Sequence, residues 1–109
     1  MTSKQKLILF FIATEFADNA YKLIKHFDRW NFPADLGENL KPLLNEKLIA
    51  VSVLDDYRNP FAYVITEKGK IAIGEGNFHQ EILEYAKSLK NSDFMLQITE
   101  ALIKKNNQQ

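Results

Sequence analysis

The chain has 109 residues and a mass of 12.6 kDa, the size of one domain, and 46% of its residues are hydrophobic and 26% charged, which favours a folded protein over intrinsic disorder. Fourteen basic residues balance fourteen acidic ones, so the chain lacks the overall positive field that is typical of nucleic-acid-binding proteins. The absence of cysteine excludes disulfides, thiolate catalysis and cysteine-ligated metal sites.

The first predicted element is a helix from Ser3, its cap, to about Ala17. Lys4 and Lys6 precede its apolar run Leu7–Ala13, an order that superficially resembles a signal peptide. The run lacks a small-residue cleavage site and falls far short of the ~20 apolar residues that cross a bilayer. We therefore expect a central, buried helix in a protein that is cytoplasmic and has no contact with membranes.

The second and third predicted helices follow directly. The second is capped by Asp18 or Asn19 and runs to about Trp30, with apolar residues three and four positions apart. The third covers residues 35–47, where leucines recur at helical spacing. Pro42 falls inside it and removes one backbone donor, so the pattern predicts either a kinked helix or two short turns.

A β-hairpin is predicted next. Ile49–Leu54 is rich in β-branched residues and alternates, which places Ile49, Val51 and Val53 on one face. A turn signal at residues 55–60 connects this strand to a second one, Phe61–Ile65. Thr66 is a suitable N-cap for the helix that follows.

Two amphipathic helices, Phe78–Lys90 and Phe94–Ile103, are predicted at the C-terminal end, before a frayed tail at residues 104–109. No linker or repeat divides the chain, so residues 1–109 are predicted to form a single domain. Phe10, Phe11, Phe16, Phe94 and Met95 lie on the first and last helices, and we expect this set to exceed what one small core can hold.

The order of the elements and three short segments resemble a known class of protein. Leu40–Ile49 resembles the end of the third helix of a winged-helix domain, where the chain enters the first wing strand. Tyr63–Lys70 is similar to the second wing strand and the following Thr-x-x-Gly-Lys/Arg signature of the MarR and PadR regulator families. Residues 55–58 resemble a MarR-type wing tip. The resemblance covers residues 19–73.

This resemblance implies an α+β, mostly α, fold: a winged helix of three helices and a two-stranded β-hairpin wing, with additional C-terminal helices. It also implies a DNA-binding transcriptional regulator that forms a homodimer through its terminal helices. The third helix would enter the major groove, and the wing would contact the DNA backbone or the minor groove.

The candidate DNA-contacting residues follow from this assignment. Basic residues of the second helix would neutralise phosphates. Asparagine pairs with adenine and lysine reaches guanine in the major groove, so polar residues of the third helix are candidates for base recognition. Arginine at the wing tip is the best candidate for a minor-groove or phosphate contact. The predicted set is Lys22, Lys25, Arg29, Glu38, Asn39, Lys41, Asn45 and Arg58.

A second interpretation stays open, in which the domain binds another protein and not DNA. Residues 19–49 hold five basic and four acidic side chains, and no other segment is more basic. Acidic residues and Pro42 in the third helix also favour this alternative. A neutral or apolar face on the third helix would favour a protein partner, whereas a continuous positive strip would favour double-stranded DNA.

Enzymatic and metal-dependent functions have little support in the sequence. His26 and His79 have no second ligand at metal-binding spacing. Gly74-x-Gly76 does not follow a strand and lacks the remaining residues of a phosphate-binding loop, and no serine lies in a nucleophile elbow. We therefore predict a protein that is not an enzyme, with no catalytic residues, no cofactor and no metal.

Overall fold

The computed structural model describes residues 1–28, 36–89 and 92–107, and over these ranges the protein is an α+β, mostly helical fold. Three helices come first: α1 (Ser3–Ala13), α2 (Ala20–Asp28) and α3 (Leu36–Asn45). An antiparallel hairpin of β1 (Ile49–Leu54) and β2 (Pro60–Ile65) follows. The described chain then continues through α4 (Glu67–Gly74), α5 (Phe78–Ser88) and α6 (Ser92–Asn107). The predicted class and order of elements are confirmed.

Helix α1 is the centre of the core. Its residues Leu7–Ile12 are all buried, and it packs against α3, α4, α5 and β2. Thr2, and not the predicted Ser3, is its cap: the Thr2 hydroxyl accepts from the Gln5 amide, and the Gln5 side chain accepts from the Thr2 amide. The helix ends at Ala13, four residues earlier than predicted, because Glu15 adopts a left-handed conformation with φ 63°.

The aromatic residues of α1 and α6 are largely used within the single chain. Phe10, Phe11 and Met95 are fully buried, and the Phe16 ring packs edge-on against Phe11 at a centroid distance of 5.3 Å. Phe94 is the member of the predicted surplus that is exposed. The expectation that these side chains exceed one core is therefore wrong for Phe10, Phe11 and Met95, which are buried within the single chain.

Helix α2 begins as predicted from its cap. The Asn19 side-chain oxygen accepts a hydrogen bond from the Lys22 amide at 2.8 Å, which confirms Asn19 as the N-cap. The amphipathic pattern buries Leu23 and Phe27. The predicted helix end at Trp30 lies outside the described residues.

Helix α3 is a single helix that contains Pro42, so the alternative of two short turns is wrong. Lys47 closes it in a left-handed conformation with φ 61°. The Leu48 amide donates to the Leu43 carbonyl at 3.0 Å, and the Lys47 amide donates to the Leu44 carbonyl at 3.0 Å. This Schellman arrangement satisfies the last carbonyls and turns the chain directly into β1.

The hairpin is irregular in register. Strand β1 has the predicted bounds, and β2 begins one residue earlier than predicted. Val51 pairs with Tyr63, but Val53 pairs with Ala62, so one extra residue of β1 is accommodated between them. The prediction that Val51 and Val53 share one face is therefore wrong: the bulge transfers Val53 to the other face.

Two attachments fix the hairpin to the helices. The segment before α2 forms an isolated bridge, Asn19 to Ala62, and the Tyr63 amide donates to the Asp18 carbonyl at 2.8 Å. At the other end, the Thr66 hydroxyl donates to the Lys47 carbonyl at 2.6 Å and accepts from the Gly69 amide at 3.1 Å. The predicted Thr66 cap is confirmed, and it also joins α4 to the α3–β1 turn.

The C-terminal helices α5 and α6 pack against each other, and α5 also packs against α1. Helix α6 extends to Asn107, so Lys104–Asn107 are helical and not frayed as predicted. Lys90, Asn91 and the last two residues lie outside the described ranges. No helix within those ranges has both the length and the apolar character needed to cross a membrane.

Candidate functional site

Three of the predicted recognition residues share one exposed face of α3. Glu38, Lys41 and Asn45 are all exposed, and their spacing of three and four residues aligns them along one side of a helix. Gly37 is exposed beside them, and nothing lies within 4 Å of the position its Cβ would occupy. We call Glu38, Lys41 and Asn45 the α3 stripe.

Asn39 does not belong to the α3 stripe. It is only 7% exposed, because it lies four residues before the buried Leu43 and therefore faces the core. A base in a DNA groove cannot reach a side chain in this position, so we remove Asn39 from the candidate contacts.

The α3 stripe borders a groove between α3 and the hairpin. This groove has a volume of about 340 Å³, and Lys41 and Asn45 line it. The Tyr63 side chain also lines the groove, and burial raises the pKa of its phenol above the ordinary value. The remaining lining is mostly apolar: Ala20, Leu36, Gly37, Leu40, Leu44 and Pro60.

The two described basic residues of α2 have local partners. Lys22 Nζ lies 3.7 Å from Asp18 Oδ1, and both side chains are partly exposed. Lys25 is exposed, with its Nζ 6.0 Å from the centroid of the Tyr21 ring. Arg29, the third predicted basic residue of this helix, lies outside the described residues. The partial pairing of Lys22 reduces the positive charge that α2 presents.

The hairpin tip is organised by Asp55. Its Oδ1 accepts from the amides of Tyr57 at 2.8 Å and Asn59 at 2.9 Å, while its carbonyl accepts from the Arg58 amide at 3.0 Å. The carboxylate is thus used within the turn. Arg58 is exposed and has a left-handed backbone with φ 65°, a conformation that costs a non-glycine residue energy.

Charges around the α3 stripe and the hairpin tip nearly balance. Residues 18–28, 36–47 and 55–59 hold five basic and six acidic side chains. The basic set is Lys22, Lys25, Lys41, Lys47 and Arg58, and the acidic set is Asp18, Asp28, Glu38, Glu46, Asp55 and Asp56. This surface is therefore a nearly neutral one that carries separate cations, and not a continuous positive strip.

The described residues offer no metal centre, since no three histidine or carboxylate side chains among them lie close enough together to hold an ion. His79 packs against Phe10 and Phe78, with ring centroids 5.5 and 6.1 Å apart. Its buried Nε2 has no hydrogen-bond partner among the described residues. This packing gives the imidazole a structural place in the core.

The sequence reasoning missed a surface on the hairpin. Apart from Ile49 and Tyr63, every residue of the two strands is exposed or half-buried, including Val53, Leu54 and Val64. The available signal was the near absence of polar residues in the strands: β1 contains Ser52 alone, and β2 contains Tyr63 alone. A hairpin with one solvated face normally alternates apolar and polar residues.

Comparison of the chain with protein-family models, with curated proteins and with solved structures gives no match.

Proposed function

We propose that this chain is a winged-helix domain that binds double-stranded DNA and acts as a transcriptional regulator. In this assignment α1, α2 and α3 are the three helices, and the hairpin of β1 and β2 is the wing. Helix α3 enters the major groove, and Arg58 contacts the backbone or the minor groove.

The attachment of the hairpin supports the winged-helix assignment. The sequence Thr66-x-x-Gly69 has a physical role here, since Thr66 caps α4 and holds the Lys47 carbonyl. A Cβ at Gly69 would lie 2.2 Å from the Leu48 carbonyl oxygen, so only glycine permits α4 to approach the α3–β1 turn this closely. Thr66 and Gly69, two residues of the segment Tyr63–Lys70 that carries part of the resemblance, thus fix α4 against the turn that enters the proposed wing.

The α3 stripe is the observation that carries the DNA proposal. An exposed helix face with Lys41 and Asn45 offers a cation for phosphate or guanine and an amide for adenine. Gly37 leaves room beside the stripe for the DNA backbone. Arg58 supplies a second, separate cation at the exposed hairpin tip.

The test is the binding of a fluorescent random-sequence duplex, measured by anisotropy at several salt concentrations. We expect weak binding whose logarithm falls linearly with the logarithm of salt concentration. Lys41→Gln and Arg58→Gln should each reduce the slope by about one unit if the residue contacts a phosphate. Lys87→Gln is the matched control, because it removes an exposed cation from α5.

An equal loss of slope in Lys87→Gln would indicate unspecific attraction and count against a role of α3. Absence of binding at the lowest salt concentration would reject the proposal. Because the cations are few and balanced by carboxylates, low ionic strength is the condition under which a real contact is most visible.

A protein-interaction module without DNA binding is the second candidate function. The groove beside the α3 stripe favours it, because Leu40, Leu44 and Pro60 line the groove and apolar grooves accept amphipathic segments of other proteins. Under this alternative, the duplex does not bind at any salt concentration, and Leu44→Lys abolishes capture of the partner.

A further inference from the structure

The hairpin tip presents an aromatic ring and a guanidinium group side by side in solvent. Tyr57 is 86% exposed, and Arg58, the next residue, is also exposed. Neither side chain makes a hydrogen bond, an ion pair or a ring contact with any described residue. Tyrosine and arginine are among the residue types that contribute most to binding interfaces, so these two side chains are candidates for contact with another molecule.

The backbone beneath the two side chains is held by Asp55 and Asn59. The Asp55 amide donates to the Asn59 carbonyl at 2.8 Å, and the Asn59 amide donates to Asp55 Oδ1 at 2.9 Å. The Tyr57 amide donates to the same Oδ1, and the Arg58 amide donates to the Asp55 carbonyl. These hydrogen bonds fix residues 55–59 before any ligand is present, which lowers the conformational entropy that binding would cost.

Arg58 occupies a position where the loop requires a left-handed backbone. Its φ is 65°, a conformation that glycine adopts without steric cost. Strained backbone of this kind concentrates at functional sites. The arginine side chain stabilises nothing in the described part of the chain, and an anion from outside the molecule would give the guanidinium group a partner.

Charge at the tip favours the ring as the main contact. Asp55 uses its carboxylate within the turn, whereas Asp56 is exposed beside Arg58. One free carboxylate therefore opposes the single cation, and the tip attracts phosphate weakly. The favourable contact that remains is stacking of the Tyr57 ring, which is independent of charge.

We propose that the hairpin tip is a wedge for the minor groove of DNA, in which the Tyr57 ring enters a base step and partly unstacks it. This inference rests on the proposed DNA-binding function, and it adds the mode of contact at the tip. Minor-groove proteins insert apolar side chains between base steps, and aromatic rings stack on bases of any identity. Arg58 pairs with a neighbouring phosphate, and the exposed Val53 and Leu54 bring no charge to the groove.

A wedge gives the protein a preference for base steps that unstack easily. Pyrimidine–purine steps such as TA are flexible, whereas A-tracts are stiff. An alternating TA duplex and a dA·dT tract present the same hydrogen-bond acceptors in the minor groove. A difference in affinity that depends on Tyr57 therefore reports the deformability of the DNA and not the identity of its bases.

The first experiment compares these two duplexes, at equal length, by anisotropy at several salt concentrations. Wild-type protein should bind the TA duplex more tightly. Tyr57→Ala should bind it about five-fold more weakly, lose the preference and keep the salt dependence, because the ring has no charge. Arg58→Gln should instead reduce the salt slope by about one unit.

Two further variants control for the ring and for general stickiness. Tyr57→Phe keeps the ring and should behave as the wild type. Ile71→Ala removes a side chain that is 61% exposed on α4, which follows the other end of the hairpin. This variant should keep both the affinity and the preference for the TA duplex.

The second experiment observes the unstacked base directly. The fluorescence of 2-aminopurine rises when the base leaves the stack, so it replaces adenine in the alternating TA duplex. Wild-type protein and Tyr57→Phe should raise the fluorescence on binding. Tyr57→Ala should leave it unchanged at protein concentrations where anisotropy shows the duplex to be bound.

The outcomes separate the wedge from the proposed function. Duplex binding with no rise in fluorescence, or with the same TA preference in Tyr57→Ala as in the wild type, would overturn the wedge and leave DNA binding in place. A wild-type preference for the dA·dT tract would also overturn it, because a narrow groove attracts arginine and resists unstacking. Absence of binding to both duplexes at the lowest salt concentration would reject the proposed function and the wedge together.

Discussion

Helix α1 and the hairpin are the two most apolar parts of the molecule, and they have opposite surroundings. Six successive residues of α1, Leu7–Ile12, are buried, whereas Ile49 is the one buried residue of β1. Helix α1 lies between α3, α4, α5 and β2, so the chain covers it from several sides. The hairpin has one face on the core and the other in solvent.

The comparison teaches that apolar composition indicates which segments favour burial, but not which neighbouring elements bury them. A helix within a bundle is covered by neighbours in its own chain. A hairpin at the margin of the fold has too few neighbours for two faces, so most of its strand residues stay exposed or half-buried. The stability of the monomer should therefore depend on α1 far more than on the hairpin tip.

Phe11→Ala should give the largest effect on the free energy of unfolding. Phe11 is fully buried and contacts the rings of Phe16 and Phe27, so truncation leaves a cavity and should cost about 3–5 kcal/mol. Tyr57→Ala removes an aromatic ring from the hairpin tip and should change stability by less than about 0.5 kcal/mol. Urea unfolding of both variants measures the difference. Similar losses would contradict the comparison.

Gly69→Ala should give the next largest effect. The added Cβ would lie 2.2 Å from the Leu48 carbonyl oxygen and 2.5 Å from Ile65 Cδ1. Backbone must move to relieve this contact, so we expect a loss of about 2–3 kcal/mol. Gly74→Ala is the control in the same helix, with nothing within 4 Å of its Cβ position. It should be neutral or slightly stabilising, and an equal loss in both variants would argue against the close approach.

Thr66→Ala tests the same junction through hydrogen bonds. The variant loses the cap on the Gly69 amide and the hydroxyl that donates to the Lys47 carbonyl, which should cost about 1–2 kcal/mol. Thr66→Ser retains both hydrogen bonds and should lose little. Thermal unfolding of the pair separates the hydroxyl from the methyl group. Equal losses would assign the effect to packing of the methyl group.

The fold was predictable to the extent that it depends on local signals. Helical spacing, caps at Asn19 and Thr66, and the strand–turn–strand pattern are all properties of short segments, and the structure confirms them. The left-handed residue Glu15 ended α1 early, and no residue type at that position announces such a turn. The bulge beside Ser52 depends on pairing with β2, which a strict alternation of residues in β1 cannot reveal.

The candidate site was harder to predict than the fold. Lys41 is exposed and Asn39 is buried, although both are polar residues of the same helix. The side of α3 that packs on the core decides which of them faces solvent. The spacing of Asn39 from Leu43 was a usable signal, because it places the amide on the leucine side. Which residues of the hairpin stay exposed depends on the position of every other element, which no local pattern contains.

Arg58→Gly should have the smallest effect, and it is the most informative about the proposed wing. Glycine adopts φ 65° without the steric cost that arginine bears, so this variant should gain about 0.5–1 kcal/mol in urea unfolding. Arg58→Gln retains the strain and should gain nothing.

Both variants lose the cation, so under the DNA proposal both should bind the random duplex more weakly, to the same degree. A stabilised Arg58→Gly that binds DNA as tightly as the wild type would show that the arginine serves neither stability nor this contact. Equal weakening with a gain only in glycine would mean that the tip accepts backbone strain in order to present a cation.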